Sequence, residues 1–192
     1  HNRFPRHTPP PRVIHLLTNS YAVVDPWFGR TRRAVELDMG CGKGRFALAL
    51  AEKFPDRLVL GVDVMLGRLR KLDRHVETRR LPNLELLRAN NLELVGYQLP
   101  DRCVHRIHLL CPDPWPKARH RAKRLLTTDF LTRLARVLEP GGILHISSDH
   151  APYMDTVERT LAQLPFFCAD PDRIRDIQDL KTDFELTWES AG

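Results

Sequence analysis

Apolar residues recur along the chain in two spacings, and segments with one spacing alternate with segments of the other. Short apolar or alternating runs predict strands, whereas apolar residues three and four positions apart predict helices. The strands are predicted at 34–38, 58–63, 84–88, 104–110, 143–147 and 184–188. The helices are predicted at 45–54, 66–80, 125–138 and 152–164. This alternation predicts an α/β fold with a doubly wound, mostly parallel sheet and helices on both faces.

A glycine-rich turn joins the first predicted strand to the first helix, with glycines at 40, 42 and 44. Glycines let a backbone approach a ligand closely, and the start of the helix offers free N–H groups. The spacing departs from the G-x-G-x-x-G dinucleotide fingerprint, because Arg45 stands where the third glycine would be. Asp38, just before the turn, would repel a pyrophosphate but suits a cationic or amine-bearing cofactor. S-adenosylmethionine carries both a sulfonium and an α-amino group, so we expect Asp38, Gly40, Gly42 and Gly44 to bind it.

Two further polar residues follow neighbouring predicted strands. Asp63 ends the second strand about twenty residues past the glycines, where an acid can hydrogen-bond a ribose diol. Asn90 follows the third strand, where an adenine edge would lie. The alternative interpretation is that Asp38 and Asp63 only cap helices.

The most distinctive stretch, Pro112-Asp-Pro-Trp-Pro-Lys117, follows the fourth predicted strand. Prolines cannot continue a central strand, so Asp113, Trp115 and Lys117 are expected at its carboxyl end, where open α/β sheets bind ligands. Five Lys or Arg residues lie between positions 117 and 124, enough positive charge to bind a polyanion. This pattern predicts an enzyme that acts on nucleic acid. The alternatives are a solvated helix face for the basic run and a packing role for Trp115.

Composition and charge are compatible with that hypothesis. The net charge is +6, which favours an anionic partner. The four cysteines show no C-x-x-C spacing, so we expect reduced thiols and a cytoplasmic protein. The apolar runs are too short to cross a membrane. No metal site is expected, because His105 and His108 point to opposite faces of one strand.

We predict two parts in the chain. Residues 1–30 form a basic, Pro-rich N-terminal arm and a connecting segment, and residues 31–192 form a single domain. The arm is interpreted either as a disordered tail or as a segment that orders on RNA or folds over the cofactor.

Together these motifs resemble the bacterial tRNA (guanine-N7)-methyltransferase family. They are Asp38-Met-Gly-Cys-Gly-Lys-Gly44, Gly61-Val-Asp63, Pro112-Asp-Pro-Trp-Pro-Lys117, Arg119-His120, Lys123-Arg124, Ser148-Asp149 and Thr182-Asp-Phe-Glu185. The resemblance implies a Rossmann-like class I methyltransferase fold and transfer of the methyl group of S-adenosylmethionine to N7 of a guanine in the tRNA variable loop. Asn90 departs from the family, which usually has an aspartate there.

The resemblance also implies roles for individual residues. Asp38, Asp63, Asn90 and Asp113 line the cofactor side, and Asp113 is the catalytic residue. The target nucleoside is bound by Lys117, Asp149, Thr182, Asp183, Phe184 and Glu185. From the basic run itself, and not from the resemblance, we expect Arg119, Arg121, Lys123 and Arg124 to contact phosphates of the tRNA.

Two other functions stay open from the residues alone. One is a class I methyltransferase with a different substrate, and the other is a non-catalytic protein of the same fold that binds tRNA or the cofactor. A monomer and a homodimer are equally compatible with the sequence.

Overall fold

The computed structural model describes residues 15–16, 33–112 and 125–182, and in them six parallel strands form one sheet. The strands are β1 (His15–Leu16), β2 (Val35–Met39), β3 (Leu58–Asp63), β4 (Leu84–Arg88), β5 (Val104–Leu110) and β6 (Leu138–Ser147). Their order across the sheet is β1-β4-β3-β2-β5-β6, so β2 lies in the centre between β3 and β5. The order reverses at β2, which is where an open α/β sheet offers a ligand crevice at its carboxyl edge.

Four helices were predicted and are present; three connect strands and the fourth follows β6. They are α1 (Arg45–Lys53), α2 (Leu66–Arg79), α3 (Thr128–Val137) and α4 (Ala151–Ala162). Two shorter helical segments also occur. One is a turn at Asn91–Glu93 that continues into a π-helix at Leu94–Gln98, and the other is a 3₁₀-helix at Pro171–Ile177. The predicted fold class is therefore confirmed.

The two faces of the sheet carry separate apolar cores, because side chains alternate along each strand. On one face, Leu37 of β2 packs in a cluster with Phe130 of α3 and Tyr153 of α4. On the other face, Phe46 of α1 and Leu69 of α2 form a second cluster. Each of these side chains is at most 4% exposed, so both helical layers bury their apolar stripes.

No helix in the described ranges combines the length and the apolar character needed to cross a membrane.

The structure differs from the predicted elements at three places. The predicted arm and connecting segment, residues 1–30, contain β1, which pairs with β4. With two residues, β1 is too short to show a periodic pattern of apolar residues. β6 begins at Leu138 rather than at 143, because the Gly141–Gly142 pair is an irregularity within the strand and not its start. The 3₁₀-helix at Pro171–Ile177 was not predicted. The predicted strand at 184–188 lies outside the described residues.

Candidate active site

The glycine turn closes tightly over the carboxyl end of β3. Both Gly40 N–H and Cys41 N–H donate to the Val62 carbonyl oxygen at 2.8 Å, and Gly44 N–H donates to the Cys41 carbonyl oxygen at 2.8 Å. The φ angles of Gly40, Gly42 and Gly44 are 79°, 57° and 79°. These values lie in the left-handed region, which residues with a Cβ rarely adopt, so glycine is needed at each position.

The three glycines differ in what surrounds them. A Cβ at Gly44 would lie 2.3 Å from the Leu72 side chain, so this glycine allows α2 to pack against the start of α1. A Cβ at Gly40 or Gly42 would find no described heavy atom, outside its chain neighbours, closer than 3.9 Å. The first two glycines therefore leave room beside the turn for a ligand, and the third supports the packing behind it.

Asp38 lies in the centre of this edge, on the face of β2 that is covered by α1 and α2. Its side chain is 3% exposed, and its Oδ2 atom is buried with no hydrogen-bond partner among the described residues. Burial raises the pKa of Asp38 to about 7, and the nearby negative charge of Asp63 adds to that rise. Asp38 caps no helix, since the N-cap of α1 is Gly44 without a side-chain bond. The capping alternative is therefore wrong for Asp38.

Asp63 is held by the turn that follows it and by the glycine turn. Its Oδ2 accepts a hydrogen bond from Gly42 N–H at 3.1 Å, and its Oδ1 accepts one from Met65 N–H at 2.7 Å. The guanidinium of Arg68 lies 3.6 Å from Oδ2. The chain thus fixes the orientation of this carboxylate beside the glycine turn.

Asn90 follows β4 at the same edge and is exposed. Its side-chain oxygen accepts a hydrogen bond from Leu92 N–H at 2.8 Å and caps the short helix at Asn91–Glu93. That oxygen keeps a second lone pair, and the amide N–H₂ adds a donor that Asn90 can offer to a ligand. An aspartate at this position would have no such donor.

The tip of β5 is tied to β6. Cys111 has a φ of 52°, and its N–H donates to the Ser147 carbonyl oxygen at 2.8 Å. The predicted site residues that follow this tip lie outside the described residues. They are Asp113, Lys117, Arg119, Arg121, Lys123 and Arg124, together with Trp115.

Two of the predicted substrate residues are described. Asp149 is exposed just after β6, and its Oδ1 lies 3.5 Å from the Ser148 hydroxyl. Thr182 is buried near the end of the described chain. Asp183, Phe184 and Glu185 lie outside the described residues.

A cluster of ionisable side chains lies below the site and was not predicted; Glu36, Arg106 and His108 in it are buried, and Asp176 is exposed. Glu36 of β2 is fully buried and contacts three groups: the Arg57 guanidinium, Arg106 Nε at 3.5 Å, and His108 Nε2 at 2.8 Å. Arg106 also donates through Nη1 and Nη2 to the two carboxylate oxygens of Asp176 at 3.1 and 3.0 Å. We call Glu36, Arg57, Arg106, His108 and Asp176 the buried charge cluster. The only signal for it in the sequence is charged residues inside apolar strands, which the resemblance left without a role.

The hydrogen bonds of this cluster fix the tautomers of two histidines. Burial acts to raise the pKa of Glu36, but the hydrogen bond from His108 and the charges around it lower that pKa overall. Burial lowers the pKa of His108, so the neutral ring donates from Nε2 to the ionised Glu36. The Nδ1 atom of His108 must then accept from Nδ1 of His145, 3.1 Å away. Burial and the neighbouring His108 lower the pKa of His145 to about 4, so this ring is also neutral.

His105 points to the other face of β5, as predicted, where its Nδ1 lies 2.5 Å from Glu139 Oε1. In the part of the chain that the structure describes, no three His, Cys, Asp or Glu side chains are grouped so that they could hold a metal ion.

The described residues fit a cationic organic cofactor. Asp38 has a buried oxygen without a described partner. Burial raises the pKa of the nearby Cys41 thiol, and the negative charges of Asp38 and Asp63 add to that rise. The edge of the sheet beside the glycine turn is therefore negatively charged, which favours a sulfonium or ammonium group over a phosphate. Beside it, Gly40 and Gly42 leave the space in which such a group can approach the backbone.

Known proteins show the same combination of fold and sequence. Residues 32–192 match the family model described as "Putative methyltransferase". A tRNA (guanine-N(7)-)-methyltransferase of Caulobacter vibrioides (strain NA1000 / CB15N) is 37% identical over 139 residues, which cover 72% of this chain and 61% of that protein. Another, from Mycobacterium avium (strain 104), is 34% identical over 171 residues, which cover 88% of this chain and 66% of that protein. This chain thus spans between 61% and 66% of the length of these two relatives.

A solved structure supports the fold. The precorrin-6y C5,15-methyltransferase from Geobacter metallireducens GS-15 superposes with a TM-score of 0.52 at 14% identity, covering 69% of this chain and 64% of that one. At this identity the likeness concerns the fold alone. Since the family model covers most of the chain, the protein belongs to this family of methyltransferases.

Proposed function

We propose that the protein transfers the methyl group of S-adenosylmethionine to N7 of a guanine in the variable loop of tRNA. The observation that carries this proposal is the buried carboxylate oxygen of Asp38, which has no hydrogen-bond partner among the described residues and lies beside a glycine turn in a chain of a methyltransferase family. The names of the relatives from Caulobacter vibrioides and Mycobacterium avium supply the substrate class.

The cofactor would contribute one thing to the reaction, an electrophilic methyl group on a sulfonium. Asp38 would bind a positively charged part of it, and the ionised form of Asp38 would become favoured as that charge approaches. Gly40 and Gly42 would allow the backbone to lie close to the cofactor, and Gly44 would hold the turn in place. Asp63 would accept hydrogen bonds from the ribose diol with the lone pairs that Gly42 and Met65 leave free.

Asn90 would contact the adenine differently from the aspartate that the family usually has. Its oxygen accepts from Leu92 N–H and keeps one lone pair, and its amide N–H₂ would donate to a ring nitrogen. The departure from the family therefore removes a negative charge and adds a hydrogen-bond donor at the same edge of the sheet.

Methylation at guanine N7 needs orientation more than proton transfer. N7 carries a lone pair and no proton, so no base has to act before the attack. The protein must hold N7 in line with the methyl group at contact distance. Asp113 or Asp149 would accept hydrogen bonds from guanine N1–H and N2–H₂ and offset the positive charge that develops on the ring. Trp115 would stack on a displaced base.

The remaining predicted residues would bind the rest of the RNA. Lys117 and the Thr182, Asp183, Phe184 and Glu185 segment would contact the target nucleoside. Arg119, Arg121, Lys123 and Arg124 would bind phosphates, which gives affinity without sequence selection. We place this activity in the single domain 31–192, preceded by the basic arm 1–30, and in a cytoplasmic monomer or homodimer.

The experiment is incubation with methyl-labelled S-adenosylmethionine and bulk tRNA, followed by mapping of the labelled nucleosides. Label at N7 of a variable-loop guanine supports the proposal. Label on another position or on another molecule would indicate a methyltransferase with a different substrate. Binding of both ligands without any transfer would indicate a non-catalytic protein.

The variant Asp113→Ala tests the catalytic assignment. We expect loss of methyl transfer to tRNA with retained binding of S-adenosylmethionine, because the cofactor contacts of Asp38 and the glycine turn remain. Circular dichroism and cofactor titration serve as controls for folding. Turnover close to that of the parent would remove Asp113 from the mechanism.

A further inference from the structure

The exposed face of α2 carries an excess of positive charge that the proposed reaction does not use. Within its 14 residues the helix has five Lys or Arg against two Asp or Glu, a net charge of +3. The whole chain has a net charge of +6 over 192 residues. Half of the net charge is thus concentrated on one helix, whereas α4 has one Arg against two acids.

The helical period sorts these residues by face. Leu69, Leu72 and Val76 are fully buried against the sheet, so the opposite face points to solvent. Arg70, Lys71 and Arg74 lie on that outer face and are exposed, and we call these three the basic ridge.

The basic ridge differs from the other two cations of α2 in its ion pairing. Arg68 is paired with Asp63, and Arg79 donates to Glu52 at 2.9 Å. Among the residues that the structure describes, no carboxylate pairs with a basic-ridge side chain.

The arrangement costs helix stability. Arg70 and Arg74 are four residues apart, and Lys71 and Arg74 are three apart, so like charges face each other at the spacings where helical side chains meet. Such pairs destabilise an isolated helix by about 0.2–0.5 kcal/mol each. A solvated helix face is better served by charges of both signs, and α3 shows this with its Arg133–Asp129 pair.

The position of α2 connects the basic ridge to the candidate site. The helix starts three residues after Asp63, and its Leu72 touches the position of Gly44 in the glycine turn. From there its 14 residues extend about 21 Å at 1.5 Å per residue. β3, which leads into α2, and β5, which leads to the 113–124 stretch, lie on either side of β2. A tRNA seated on the site would span both, since neighbouring strands are about 5 Å apart and β3 and β5 are therefore separated by about 10 Å.

We propose that the basic ridge of α2 is a second tRNA-binding surface, which contacts phosphates away from the target guanine. This inference rests on the proposed function for the identity of the polyanion. The contacts would add affinity and orient the tRNA without reading its sequence. They would be separate from those of the 117–124 stretch.

The test is the double variant Lys71→Ala/Arg74→Ala, compared with Arg133→Ala/Arg159→Ala. The control removes the same two charges from α3 and α4, which pack on the opposite face of the sheet. Alanine is the best helix former and relieves the like-charge contacts, so the ridge variant should keep its melting temperature. The charge-preserving swap Lys71→Arg/Arg74→Lys should bind like the parent.

The measurement is tRNA affinity as a function of salt. Each lost phosphate contact should lower the slope of log K against log salt by about 0.9, equivalent to about eightfold in affinity at 0.1 M salt. We expect KM for tRNA to rise and kcat at saturating tRNA to stay unchanged. Equal affinity and slope in parent and ridge variant would overturn the inference, and so would an equal loss in the control variant.

The two proposals fail in different ways. If the parent binds tRNA through the ridge but transfers no methyl group, the proposed function is wrong and the ridge assignment stands as an RNA-binding surface. If the parent methylates tRNA and the ridge variant binds it normally, only the ridge assignment is wrong.

Discussion

Glu36 and Asp38 lie two residues apart on the same face of β2, and the fold treats them in opposite ways. Both are almost completely buried, at 0% and 3% exposure. Glu36 is surrounded by two guanidinium groups and a histidine N–H, and its pKa lies below the ordinary value. Asp38 has a buried oxygen without a described partner, and its pKa is raised to about 7.

The opposite pKa shifts of Glu36 and Asp38 distinguish a structural charge from a ligand-binding charge on one strand. Burial disfavours the ionised form of both carboxyl groups and so acts to raise both pKa values. The direction of each net pKa shift therefore depends on the partners that the chain provides. For Glu36 the chain provides them from β5 and from the segment before β3, which makes it part of the scaffold. The described residues provide none for the buried oxygen of Asp38, which fits a balancing charge that comes with a ligand.

Removal of the central cation of the buried charge cluster should have the largest effect. Arg106→Met would leave Glu36 as a buried carboxylate that has lost a balancing cation. It would also remove the bidentate partner of Asp176, whose other described cation, Arg57, lies 3.9 Å away. Breaking a buried ion pair from one side costs about 3–5 kcal/mol. The free energy of unfolding, measured in urea, should fall by that amount.

A paired variant sharpens this result. Glu36→Leu/Arg106→Met removes both buried charges and should lose less stability than Arg106→Met alone, because no unbalanced carboxylate remains in the strand. If the single and the paired variants lost the same stability, the cluster would not be coupled in the way the contacts indicate.

Replacement of Asp38, the other buried carboxylate of β2, should change the stability in the opposite direction. The pKa of Asp38 is raised from 3.8 to about 7, so between these pH values the native ligand-free protein binds more protons than the unfolded chain. The contribution of Asp38 to the stability of the ligand-free protein is therefore lost as pH rises from about 4 to about 7. Asp38→Asn should remove that loss and exceed the parent in stability above pH 7, by up to about 4 kcal/mol. Melting temperatures between pH 5 and pH 8 provide the measurement.

The same variant links the comparison to function. Asp38→Asn should bind S-adenosylmethionine more weakly than the parent, because the balancing negative charge is gone. A variant that is more stable and still binds the cofactor normally would show that Asp38 does not face the ligand.

Substitution of the last glycine of the turn should have a smaller effect, which tests the packing role of Gly44. Gly44→Ala places a Cβ 2.3 Å from Leu72 on a backbone with positive φ, so we expect a loss of about 1–3 kcal/mol. Gly67→Ala on α2 meets no heavy atom within 4 Å and should gain up to about 1 kcal/mol. Thermal unfolding of the two variants makes the comparison, and a loss at both positions would contradict the packing role of Gly44.

The sequence predicted the parts of this protein that depend on local periodicity. Strand β3 and strand β4 match their predicted bounds, because a run of apolar residues closed by a turn specifies a central strand almost alone. The positions of the glycine turn and of Asp63 were predicted for the same reason, because each lies at the end of a strand that the apolar runs reveal. The position of Asn90 after β4 was predicted, but its hydrogen bond from Leu92 N–H could not be predicted from the spacing of residues.

The buried charge cluster shows what spacing cannot supply. Its ion pair between Arg106 and Asp176 joins residues 70 positions apart. Asp176 lies in a short 3₁₀-helix without apolar periodicity, so nothing local marks it as a partner of a central strand. Contacts of this kind arise from topology, and the sequence alone reveals only that the strand contains a charge that must be balanced.

The bond between Arg106 and Asp176 has a consequence for how the protein is made. During synthesis, β2 and β5 leave the ribosome long before residue 176, and until then the guanidinium of Arg106 lacks its main carboxylate partner. The nascent sheet therefore cannot bury that charge at full stability before the 3₁₀-helix docks. Docking of the 3₁₀-helix is therefore a late step of assembly, and a polypeptide stopped short of this helix should remain an easy substrate for proteases.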